Sequence, residues 1–191
     1  INMSGVDDMT TAYIDTVSGG TVTVGLGSSQ AGATAAGDVT FVDAANVTLY
    51  AGTTAQTVAA GVWDAIALDN ADTTALTVKA TSTLGLTTGV ISNSDKVATY
   101  TVSTASTGAV VVGTMLDADS LTELNITGVA SVTTGVIGTN AASGDAAGLA
   151  TINITGAGTG TVTVGNIFAD TTATSSTAVD GQQTVNVTAN T

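Results

Sequence analysis

The side chains best equipped for chemistry in this 191-residue chain are its aspartates, and they gather where turns are expected. Asp69, Asn70 and Asp72 share one short segment, Asp117 and Asp119 flank Ala118, Asp43 precedes Asn46, and Asp7 adjoins Asp8. Carboxylate and amide oxygens presented by turns are the hard ligands that Ca²⁺ takes. The pattern nominates Asp69, Asp72, Asp117 and Asp119 as calcium ligands. The same residues have a plainer use: Asp marks turns because its carboxylate accepts hydrogen bonds from nearby backbone amides, and its charge keeps a surface soluble. Neither an EF-hand loop nor a GGxGxDxUx nonapeptide accompanies these aspartates.

Other chemistry is thinly represented. The chain has no Cys, His, Pro or Arg, and Lys79 and Lys96 are its only basic side chains. Disulfides, thiolate zinc sites and cysteine nucleophiles are therefore excluded, as are imidazole bases and Ser-His-Asp triads. Fourteen Asp and the single Glu123 give a net charge of -13. Two lysines cannot neutralise a phosphate backbone, so nucleic acid is not an expected partner. An anionic membrane surface would repel the chain, and no apolar run approaches the roughly 20 residues that span a bilayer. Asp117 and Asp119 would share a face of an extended segment, and paired carboxylates hydrolyse glycosides. The aromatic and basic groups that hold a sugar are nearly missing, so an enzyme is not expected.

The elements that must position the aspartates are β-strands. Thr and Val are stiff at the first side-chain torsion and favour strands. Twenty-three Gly are available for turns. Only the segment around Tyr13, with the preceding VDDMTTA, reads as a short capped turn. Leu68 to Ile91 and Leu116 to Ile137 both open with Leu-Asp, carry an alternating strand (Leu76-Thr-Val78, Leu124-Asn-Ile126) and close with TTGVI. Related strand pieces centre on Val47, Leu76, Tyr100, Leu124 and Ile152, at successive steps of similar length, and Val22 stands one further step before Val47. A second apolar piece follows each (Val58, Leu86, Val110 to Val112, Val132, Val162), then a third (Ile66 to Leu68, Val90-Ile91, Met115-Leu116, Val136-Ile137, Ile167-Phe168).

Three short strands in every roughly 24 to 29 residues are the signature of a solenoid. Its coils bury a common narrow core by stacking on their neighbours. The chain is therefore expected to be all-β, a parallel β-helix-like solenoid. Residues 1–20 would form an N-terminal cap or assembly arm, 21–168 the repetitive body, and 169–191 a polar loop and C-terminal strand. A β-sandwich fits closely spaced short strands as well. With six aromatics in all, the core is expected to be thin, or filled by small branched residues. Thr and Asn at the alternate positions would point outward, where hydroxyls can hydrogen-bond in ladders along the stack. The T-x-T pairs at Thr21/Thr23, Thr99/Thr101 and Thr161/Thr163 raise an ice-binding face, which LTVKA and ELNIT interrupt. Sequons at Asn2, Asn46, Asn125, Asn153 and Asn186 are largely what a Thr-rich chain produces by chance.

The segments DADSLTELNITGVASVTTG and GLATINITGAGTGTVTVGNI resemble the repetitive body of Caulobacter-type bacterial surface-layer (S-layer) proteins, rich in Thr, Ala, Gly and Val. The resemblance covers roughly Asp43 to Phe168. It implies a β-solenoid-like body, calcium-dependent lattice assembly and a place outside the cell. The first residue, Ile1, suits a mature protein or a piece of a longer one. The expected role is structural: a self-assembling extracellular protein whose partners are copies of itself. The alternative is a stalk or binding module of a large secreted adhesin.

Overall fold

The computed structural model of the chain describes residues 1–6, 9–26, 34–51, 61–68, 73–80, 85–104, 107–128, 130–138, 149–157, 160–167 and 184–190. They are all-β, with no helix, and every strand pairing is parallel. The chain is a β-solenoid. Parallel neighbours in register exclude the β-sandwich, whose sheets are antiparallel.

Each coil has three faces. The long face stacks β1 (Asn2–Val6), the end of β2 (Met9–Leu26), the end of β3 (Thr34–Ala51), β6 (Ala75–Ala80), β9 (Thr99–Thr104), β11 (Glu123–Gly128), β13 (Thr151–Ala157) and β15 (Thr184–Asn190). Its register runs Val22, Val47, Leu76, Tyr100, Leu124, Ile152, Val185, matching the expected centres and adding a last rung, at Val185, after a longer connection. The second face stacks β3 on β4 (Gly61–Trp63), β7 (Leu86–Thr88), β10 (Val110–Val112), β12 (Val132–Thr134) and β14 (Val162–Thr163). Here the expected piece at Val58 lies outside the described residues. The third face carries β5 (Ile66–Ala67) and β8 (Ile91–Ser92), continued by bridges through Met115, Ile137 and Ile167.

Alternation sets which side chains enter the core. β6, β9 and β11 alternate buried positions with more exposed ones from end to end, as the period of two requires. Val22, Val47, Leu76, Leu124 and Ile152 point inward from the long face; Ile66, Ile91, Met115 and Ile137 do so from the third. The core is not filled by small residues alone: Phe41, Trp63 and Tyr100 are fully buried within it. Trp63 Nε1 and the Tyr100 hydroxyl lie in this apolar interior without hydrogen-bond partners. Desolvation pushes the Tyr100 hydroxyl well above its ordinary titration range.

Residues 9–12, expected in a capped turn, belong to β2, an 18-residue strand bent around the coil. Strand propensity of Met-Thr-Thr-Ala-Tyr and pairing of Met9 to Asp15 with Ala36 to Val42 override the local turn signal. Of the segment 1–20, β1 and the first part of β2 are paired within the stack. Residues 169–183 lie outside the described residues.

The corner between second and third faces is a column of glycines: Gly89, Gly113, Gly135 and Gly165. A β-carbon on Gly89 would lie 2.8 Å from Asp64 O, and one on Gly135 would lie 2.6 Å from Thr114 N. One on Gly113 would overlap Gly89 O, and one on Gly165 would overlap Gly135 O. The backbone of each coil therefore rests directly on the one before it. The buried hydroxyls of Thr88 and Thr134 accept from the amides of Gly113 and Gly165, at 3.2 and 3.3 Å, and tie the coils across this corner.

Candidate functional site

Of the four nominated calcium ligands, Asp117 and Asp119 lie among the described residues. Asp117 stands at the corner leading from the third to the long face, half-buried, with φ of 54°. Asn93, one coil earlier, has φ of 53°, and Asp43 has φ of 56°. Asn and Asp tolerate this left-handed conformation better than most residues, so these side chains are explained by the turn they make. Asp119 is exposed in the same connection. Asp69 and Asp72 lie outside the described residues.

The connection is tied coil to coil. Ser120 N donates to Asp95 O at 3.2 Å, Thr122 N to Ala98 O at 2.9 Å, and Ala98 N to Thr74 O at 2.8 Å. The Ser94 hydroxyl donates to Leu116 O and, at 3.3 Å, to Asp117 O. Asp95 Oδ1 is enclosed without a hydrogen-bond partner. Among the described residues, no three His, Cys, Asp or Glu side chains come together as a metal site. Calcium takes six to eight oxygens, more than this acidic corner supplies from its described carboxylates alone.

The long face has a different character. Its middle outward column reads Thr23, Thr48, Thr77, Thr101, Asn125, Asn153, Asn186. The asparagines form a hydrogen-bonded ladder: Asn153 Nδ2 donates to Asn125 Oδ1 at 2.8 Å, and Asn186 Nδ2 to Asn153 Oδ1 at 2.9 Å. Asn153 Nδ2 also lies 3.3 Å from Glu123 Oε1. A parallel, in-register stack places identical amides one rung apart, which is the geometry that closes such a ladder. The flanking column runs Gly25, Tyr50, Lys79, Ser103, Thr127, Thr155, Thr188. Tyr50 does not stand up from the sheet. Its ring occupies the space a side chain on Gly25 would need, and Lys79 Nζ lies 5.7 Å from the ring centre, within cation–π range.

Among the described residues, Lys79 and Glu123 are the only charged side chains outward on the strands of this face. The described aspartates are elsewhere. Asp15, Asp38 and Asp64 lie along the second and third faces, where Asp38 Oδ1 accepts from Ala65 N at 3.3 Å. Asp43 lies at the bend of β3 after the third face, and Asp95, Asp117 and Asp119 lie in the connections that follow that face.

The T-x-T pairs are not repeated coil after coil. Thr21/Thr23 and Thr99/Thr101 are outward on the long face, but Ala75 and Glu123 hold the equivalent first positions in β6 and β11. The asparagine ladder was visible in the sequence only as repeated sequons. Its specific signal is one motif, LNIT, INIT and VNVT, recurring on successive rungs. No helix among the described residues is long and apolar enough to cross a membrane. No protein-family model, no curated protein and no solved structure matches the chain.

Proposed function

We propose that this protein is a structural, self-assembling component of an extracellular surface layer, sheath or filament. The observation that carries the reading is the outer surface of the stack. It is a ladder of hydroxyls and mutually bonded amides repeated at the sheet spacing, with Glu123 its one carboxylate among the described residues and the described aspartates on the other faces and in the connections. Such a surface has a repeat and a fixed geometry, the two properties that periodic packing uses. Stacking also supports the reading energetically, because every coil depends only on its neighbours and the body tolerates added repeats. The polar ladder keeps the exposed sheet hydrated, and the acidic corners keep copies apart until counterions screen them.

Calcium enters as part of the proposal. Asp117 and Asp119, with Asp69 and Asp72, would contribute oxygens at contacts between copies, where a second chain supplies the remaining ligands. Negative-stain electron microscopy of the purified chain, in millimolar Ca²⁺ and again with chelator, tests the whole reading. Sheets or filaments that dissolve on chelation are the expected result. Arrays that survive chelation would keep the structural role and remove calcium from it. Dispersed particles in both conditions would sink self-assembly and favour the adhesin stalk, for which a stack of coils serves as a spacer.

A further inference from the structure

We infer that copies of this chain meet through the long face, packed against the long face of a second copy. The inference rests on the self-assembly reading and specifies which surface carries it.

Charge restricts the choice of surface. At a net charge of -13, two copies repel across any contact whose aspartates are not bridged by Ca²⁺, so a broad contact free of bridging ions must exclude them. The described aspartates occupy the connections and the two shorter faces, whereas the long-face strands carry one cationic side chain, Lys79, and one anionic, Glu123. The long-face strands approach a copy of themselves with no net charge. The second-face strands β4, β7, β10, β12 and β14 likewise carry no charged side chain, with Asp38 and Asp64 at the corner beyond them. Charge therefore sets aside the connections and the third face, and area decides between the remaining two.

Area also favours it. Eight strands at about 4.8 Å spacing, about five residues wide, make a sheet roughly 35 Å by 17 Å. Two such faces in contact bury on the order of 1,200 Å² in total, above the roughly 1,000 Å² of a specific interface. The second face has strands of two or three residues on β4, β7, β10, β12 and β14. It offers only about 200 Å² per copy, although Val111 is exposed there.

Relief and order agree. Tyr50, the one aromatic outward on the long face among the described residues, lies down over Gly25, so it does not hold a partner sheet away. Asn125, Asn153 and Asn186 are already fixed by one another. Ordering their side chains therefore costs little on association.

The test adds positive charge to this acidic chain. Thr48→Lys with Thr101→Lys places two lysines on the middle column, two rungs apart. Thr87→Lys with Thr133→Lys places two at the same separation on the second face. Both variants lower the net negative charge equally, so general repulsion predicts that both assemble better than wild type. Burial of the long face predicts that the first variant loses at least tenfold in sedimentable assembly while the second does not. Circular dichroism of both variants confirms that the stack is folded.

Assembly of the long-face variant at or above the wild-type level would overturn this inference and leave self-assembly standing. Loss confined to the second-face variant would move the contact there. A wild-type chain that stays monomeric at high concentration would overturn both. Retention of monomers on a neutral polysaccharide in that case, abolished by the long-face lysines, would assign the face to a glycan instead of a copy.

Discussion

At the scale of single residues, the core and the corners make opposite demands. Tyr100 brings a hydroxyl into an apolar interior where nothing accepts its hydrogen, a loss of about 1–3 kcal/mol relative to a partnered group. Tyr100→Phe is expected to leave stability unchanged or raise it by about 1 kcal/mol, measured by urea unfolding at pH 7. The two chains should diverge further in alkali. The folded protein holds the Tyr100 proton well above the usual range, while the unfolded chain releases it near pH 10. The native state then binds more protons, so wild-type stability falls as pH rises beyond about 10, at up to ~1.4 kcal/mol per pH unit. Tyr100→Phe removes that part of the slope; parallel curves for the two chains would refute the assignment. Gly113 shows the corner's demand. Its missing β-carbon would overlap Gly89 O, a backbone atom with no rotamer to yield. Gly113→Ala is expected to cost about 3 kcal/mol. Gly19→Ala should cost only about 1–2 kcal/mol, because Gly19 has φ of 80° but open space around its α-carbon. Equal losses would show that the corner relaxes.

At the scale of strands, much was legible because the period of two and the period of the coil are both written in side-chain type. Val47, Leu76, Tyr100, Leu124 and Ile152 were aligned from spacing alone, and their backbones pair in that order. The turn reading near Tyr13 failed because a local polar signal was outweighed by pairing to β3, which a window of a few residues does not contain. The glycine column was half visible, in the Gly89 and Gly135 of TTGVI. The reason for it, a backbone resting on a backbone, exists only between coils. The asparagine ladder likewise depends on register. Removing its centre tests its worth. Asn153→Ala loses both amide contacts, to Asn125 and Asn186, and should cost about 1–2 kcal/mol on a half-exposed sheet. Asn153→Asp should cost more at pH 7, because a carboxylate then replaces the donor facing Glu123 and Asn125 Oδ1. Its acid is raised in the folded state, so the penalty is present at neutral pH and fades below about pH 4, where protonation restores a donor. A penalty that persists at pH 3 would mean that the ladder's geometry, and not the charge, is at fault.

At the scale of the molecule, a solenoid holds together through nearest neighbours. Contacts run from one coil to the next, so cooperativity depends on every interface between coils being strong enough to unfold with the rest. The single tryptophan, Trp63, reports on this because it is fully buried on β4, two coils before Gly113. In the wild-type chain, Trp63 emission and far-UV circular dichroism should lose their folded signals at the same urea concentration, the mark of one cooperative unit. Gly113→Ala weakens one interface near the middle of the stack and leaves those on either side intact. If coupling is local, the two halves separate: the Trp63 transition and the circular dichroism transition should no longer coincide, and hydrogen exchange should show two blocks of protection meeting near Gly113. If they still coincide at a lower urea concentration, the coils are bound into one unit by terms longer in range than their neighbours. That outcome would also count against a body built to be extended coil by coil, since adding a repeat would then disturb the whole.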